Sequence, residues 1–107
     1  KTMDPKQARG QIFDAVATAA ATSVTASQGL SGGTTIYVTD ISASNVVGTS
    51  TLVLRNQGSA TVWSINMAAS SLYNYQFKQP VSLTATAQLV IAGASGEKSA
   101  NFAGYII

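Results

Sequence analysis

The segment "ATVWSINMAASSLYNYQFKQPVSL", residues 60 to 83, alternates large side chains with small polar ones and carries a single charge, Lys78. Successive side chains leave a strand on opposite sides, so this period-two pattern belongs to strands with one buried face. It recurs along the chain. In "TTIYVTDISA" (34 to 43), Ile36 and Val38 share one face and Tyr37 and Thr39 the other. "TSTLVLRN" (49 to 56) does the same with Leu52 and Leu54. "TVWSINM" (61 to 67) turns Trp63, Ile65 and Met67 inward, and "LYNYQFK" (72 to 78) aligns Tyr73, Tyr75 and Phe77 against Asn74, Gln76 and Lys78. "VSLTATAQLVIAG" (81 to 93) and "KSANFAGYII" (98 to 107) complete the pattern. "NQGS" (56 to 59), "AASS" (68 to 71) and "GASGE" (93 to 97) read as turns, with Gly58 free to take a positive φ. Pro80 lacks a backbone donor and belongs at a strand start or on an edge strand. Strands at spacings of about ten to twelve residues predict an all-β sandwich or barrel.

Only "DAVATAAATSVTASQG" (14 to 29) could follow a helical period. Val16, Thr18, Thr22, Val24 and Thr25 are β-branched, which favours strand, so residues 15 to 28 are expected to be extended. The same stretch follows Lys6 and Arg9 and has a small-residue site near Ala26, as a secretory signal would. Its Ala-dominated composition, its threonines and Asp14 at its head speak against that reading. No apolar run is long enough for a spanning helix.

The chain has 107 residues, the size of one domain. Its N-terminal residues follow other rules. "KTMDPKQARGQIFD" (1 to 14) holds Lys1, Asp4, Lys6, Arg9 and Asp14, half of all the charged residues, while Ala15 to Thr39 holds none. This divides the chain into an arm, 1 to 14, and a β domain, 15 to 107. Asp4 and Pro5 could cap and open a short helical turn in the arm. Ile12 and Phe13 are an apolar pair that a solvated tail has no use for. The arm is expected to order on a partner, with Ile12 and Phe13 filling an apolar site and Lys6 and Arg9 facing carboxylates.

Charged residues make up only 9% of the chain, against roughly 25% in an average soluble domain. Six basic residues without clustering do not form the stripe that nucleic acid requires. The absence of His and Cys removes the commonest metal ligands, Ser-His catalysis and all thiol chemistry. Asp40 and Glu97 are the acids that could meet in space; each reads better as a loop charge. "SGGTT" (31 to 35) lacks the lysine and helix of a phosphate loop and reads as a strand connector. Trp63, Tyr73 and Tyr75 raise a carbohydrate platform, but their alternation with Ile65, Met67 and Phe77 points to core or subunit packing. The chain is therefore expected to be no enzyme and to need no cofactor or metal. Its apolar content, high for so few charges, suggests an oligomer, three copies around an axis.

The block "TSTLVLRNQGSATVWSINMAASSLYNYQFKQPVSLTATAQLVIAGASG" (49 to 96) resembles a module of small virion proteins of tailed bacteriophages. The shared order is a leucine strand, an Asn-Gly-type turn, the "WSI" strand, a Ser-rich turn, "YNYQF", "QPVSLTA" and an apolar strand ending in Gly. The resemblance implies a jelly-roll-like antiparallel β-sandwich. It implies a capsid decoration (cement) protein, acting as a homotrimer on the virion surface and bridging subunits of the major capsid protein, with neither nucleic acid nor membrane as partner. A tail or head–tail accessory protein is the alternative within that class, and a carbohydrate- or receptor-binding module the alternative outside it.

Overall fold

The computed structural model describes residues 11–30, 33–46, 48–57 and 60–107, with the backbone alone for residues 11 and 94. Among these residues six strands follow one another: β1 (Gln11–Gln28), β2 (Ile36–Asn45), β3 (Ser50–Asn56), β4 (Ala60–Met67), β5 (Ser71–Leu83) and β6 (Ala87–Ile106). There is no helix among the described residues. All pairings are antiparallel, and all six strands belong to one sheet.

The sheet is organised around β6. β1 runs along one side of it from the Gln11↔Ile106 pair to the Gln28↔Ala87 pair. Two shorter strands share the other side: β3 covers Ala87–Gly93 and β2 covers Lys98–Ile106. β4 extends the sheet beyond β3, and β5 extends it beyond β2. The sheet thus forks into two arms with β1 and β6 as a common stem.

The arms bury opposite phases of the same two strands. On β6 the side chains that enter the core are Ala87, Leu89 and Ile91, then Ala100, Phe102 and Ile106. On β1 they are Phe13 and Ala15, then Val24 and Ala26. A strand of unbroken period two would turn one of these sets to solvent. The register shift between Ala21 and Ser23 resolves the conflict. Thr22 on β1 opposes residues 93 to 95 on β6, and each strand changes phase across the irregularity. "GASGE" is therefore not a turn, as its composition suggested, but the bend of a twenty-residue strand. Gly and Ser permit both, and composition alone does not tell a reversal from a bend.

The arms curl until Trp63 on β4 meets the rings of β5, so the sheet nearly closes. One continuous core fills it: Leu52, Leu54, Leu89 and Ile91 from one arm, Ile36, Val38, Ile41 and Phe102 from the other. Pro80 sits in an edge strand, as expected, within a four-residue excursion of β5 (77 to 80) opposite Thr39. The Ser-rich turn after β4 is held by Ser71 Oγ donating to Ala68 O (2.6 Å) and Ser70 Oγ donating to Val46 O (2.9 Å). β1 begins at Gln11, so the compositional boundary at residue 14 falls inside a strand. The Asp4 cap and the Gly58 turn lie outside the described residues.

Gly104 lies between Phe13 of β1 and Val38 of β2 in the register. A Cβ there would run into the Tyr37 carbonyl oxygen. The Gly104→Ala variant is expected to lose about 2 kcal/mol or more, the upper range for overpacking. Gly29→Ala, with nothing within 4 Å of the added carbon, should stay within about 0.5 kcal/mol of the parent. Urea denaturation of both variants checks the contrast.

Candidate functional site

Two surfaces and one buried corner gather the side chains able to recognise something. The first surface is the outer face of the arm β5–β2–β6–β1. Cross-strand register sets its side chains in rows: Gln76, Asp40, Ala103, Asp14; then Asn74, Ser42, Asn101, Val16; then Leu72, Ser44, Ser99, Thr18. These positions are exposed or half-exposed, and Asp14 and Asp40 are the only charges in the three rows. Ser42 Oγ donates to Asn74 Oδ1 at 2.6 Å. The Thr39 hydroxyl lies within hydrogen-bonding reach of Asp40 Oδ2 (3.1 Å) and Ala103 O (3.2 Å). The face sets amides and hydroxyls, two carboxylates and the exposed apolar side chains Leu72 and Val16 on a continuous ladder, able to hydrogen-bond but low in charge.

The second surface is the aromatic seam between the β4 and β5 edges. Tyr73 and Tyr75 stand on the core side of β5, opposite Ala43 and Ile41. Trp63 lies 6.0 Å from Tyr73, 5.8 Å from Tyr75 and 5.7 Å from Phe77, centroid to centroid. Tyr75 and Phe77 meet edge to face at 4.9 Å. The rings meet one another in stacked and edge-to-face contacts and join the two arms where no ladder does. Tyr75 keeps 41% of its surface exposed, which leaves an aromatic rim to the seam.

The corner lies where β3 leaves β6 and β2 joins it. Lys98 is 3% exposed there. Its Nζ donates to Ala21 O at 2.7 Å and to Gly96 O at 3.4 Å, carbonyls on the two strands beside the register shift. A long amphipathic side chain thus carries an ammonium to backbone oxygens at the bend. Asn45, 1% exposed and paired with Lys98, donates from Nδ2 to Gly48 O at 2.6 Å. Asn45 Oδ1 and Ser50 Oγ are buried without a hydrogen-bond partner among the described residues. The sequence reading overlooked this corner. Its signal was a lone lysine in phase with Ala100 and Phe102, where a surface charge has no place.

The residues singled out from sequence fall as follows. Lys6 and Arg9 lie outside the described residues. Ile12 and Phe13 are neighbours in β1 and point to opposite faces. Ile12 is 55% exposed, whereas Phe13 belongs to the protein's own core and packs edge to face on Phe102 at 5.5 Å. One apolar site on a partner therefore has no geometry by which to take both. Asp40 and Glu97 do not meet: Asp40 pairs with Ala103, six positions along β6 from Glu97, about 20 Å at strand spacing. From "SGGTT", Gly33 bonds back to Leu30 O (3.0 Å) and Thr34 and Thr35 donate to Ile107 O (2.7 and 3.2 Å), the bonding of a connector. Among the described residues no group of three or more carboxylates or other ligating side chains converges.

The sheet also has three free margins. β4 and β5 end the two arms, and among the described residues β1 pairs with β6 alone. The β4 margin is eight residues long. The β5 margin carries Lys78, Pro80 and the excursion. The β1 margin is eighteen residues long, and after Asp14 it has neither charge, Pro nor Gly.

Comparison of the sequence with protein-family models and with curated proteins finds no match.

Lys98→Met keeps most of the stem and removes the donors, so it is expected to cost about 1–3 kcal/mol through the stranded carbonyls. An unchanged denaturation midpoint would remove Lys98 from the corner's support. Trp63→Ala should cost about 2 kcal/mol or more, below the fully buried range because the ring is partly exposed. The far-ultraviolet spectrum should keep its strand character, which is the measurement that separates loss of the seam from general unfolding.

Proposed function

We propose that the protein is a structural component of a tailed-phage virion, of the capsid decoration type, that binds across neighbouring subunits of the major capsid protein. We read its two arms as the leaves of a jelly-roll-like sandwich with β1 and β6 passing from one leaf to the other. Sheets that exchange strands at bulged corners are a known way to build such a body.

The observation that carries the proposal is the outer face of β5–β2–β6–β1. Its rows combine a continuous backbone ladder with Asn, Ser, Thr, Gln and Ala side chains, the exposed apolar Leu72 and Val16, and only Asp14 and Asp40 as charges. Many copies packed on a shell repel one another less when each carries a weak field. A face of amides and hydroxyls gives hydrogen bonds to a partner with little of the desolvation cost of ions. The mode of action is mechanical: area buried across a subunit boundary resists separation of the subunits. The resemblance of residues 49–96 to phage virion modules agrees with this reading.

Purified protein added to capsids that lack it should attach saturably. An image of the particle should show it over contacts between major capsid subunits, and decorated capsids should survive heating that opens bare ones. Density confined to the tail would replace this reading with that of a tail accessory protein. Retention on a glycan surface that is lost in Trp63→Ala, with no attachment to capsids, would replace it with a carbohydrate-binding module.

A further inference from the structure

We infer that β1 is a self-association edge: two copies of the chain pair their β1 strands antiparallel about a dyad. The inference deepens the proposed function by supplying the contact between copies, and rests on that reading only for its many-copy setting.

Natural sheets guard their edges with short strands, charges, Pro or bulges, because an open row of N–H and C=O groups recruits other strands. Two margins of this sheet are guarded in these ways. β4 is short, and β5 carries Lys78, Pro80 and the four-residue excursion. β1 is the exception. It is eighteen residues long, and "AVATAAATSVTASQ" (15 to 28) contains no charge, Pro or Gly. Its one irregularity accompanies the bend of β6 rather than ending the pairing. Val16, Thr18, Ser23 and Thr25 on this strand are all exposed.

The occupant follows from the edge's chemistry. Its partner must be a strand of comparable length, small in side chain and free of charge, since a charge would meet nothing complementary. Residues 15 to 28 of β1 itself meet these terms. Antiparallel pairing about the middle of the strand sets Ala, Thr and Ser against Ala, Thr and Ser. It places the Asp14 of each copy beside the threonine-rich end of the other, far from the second Asp14. The contact is isologous and closes at two copies. Because the first half of β1 edges one arm and the second half the other, the dyad joins strands β5–β2–β6–β1 of one copy to β1–β6–β3–β4 of its mate.

The test uses the full chain and two variants. One carries Val16→Lys, Thr18→Lys, Ser23→Lys and Thr25→Lys; the other carries Glu at the same four positions. Antiparallel registers near the centre then set like charges against each other across the dyad, which disfavours pairing. The parent is expected to sediment as a concentration-dependent dimer. Each variant should keep the parent's far-ultraviolet spectrum and dissociate at least ~10-fold more readily. An equimolar mixture of the two should recover dimers, a rescue that a merely damaged fold does not give. A monomeric parent at every concentration, a trimer, or dimers indifferent to the charges would overturn the inference. Each of these failures is distinct from failure of the virion reading, which is decided by where the protein sits on the particle.

Discussion

The structure depends on one backbone constraint: β6 is paired on both sides for most of its length, with β1 along one side and β3 and β2 in succession along the other. Each strand of a ladder keeps its neighbours' peptide groups satisfied, and no other element performs that task here. The price is that β6 must face two arms that need opposite phases of its side chains. The irregularity at Thr22 and residues 93–95 is the physical answer. It turns one long ribbon into two arms that enclose a single core.

That bend exposes the weak point of the design. Where β1 and β6 shift register, carbonyls lose their ladder partners, and a bulged ladder leaves at least one residue unpaired. Lys98 brings a buried ammonium to Ala21 O and Gly96 O, the register pair that borders the shift. Asn45 and Ser50, at the end of β2 and the start of β3, contribute further buried polar groups at the same level of β6. The polar corner and the aromatic seam divide the work of closure. Hydrogen bonds hold the stem where the arms part, and rings hold the arms where their far edges approach.

The same geometry sorts the surface by function. Alternation sends Phe13, Ala15, Ala43 and Phe102 inward, and leaves Asp14, Val16, Ser42 and Asn101 on the outer face. A low-charge exterior is then a consequence of composition, while its continuity across four strands comes from the ladder. The unguarded β1 margin lies at the side of that face.

Composition and period determined that this chain is a strand protein with a single core and little charge. Ile36, Val38, Leu52 and Leu54 were legible as inward residues, because one-residue alternation is a local property that survives any tertiary arrangement. What the sequence could not decide was length and closure. Phe13 looked like part of an arm because charge density changes at Asp14, yet hydrogen bonding to β6 carries the strand back to Gln11 and puts the ring against Phe102. "GASGE" looked like a reversal, yet β1 on one side and flanking partners on the other carry β6 through it. Lys98 and Trp63 acquired their roles only when strands distant in sequence came together. Alternation is written residue by residue, whereas register, bends and seams depend on which strand lies alongside, and that is fixed by the pairing of the whole sheet.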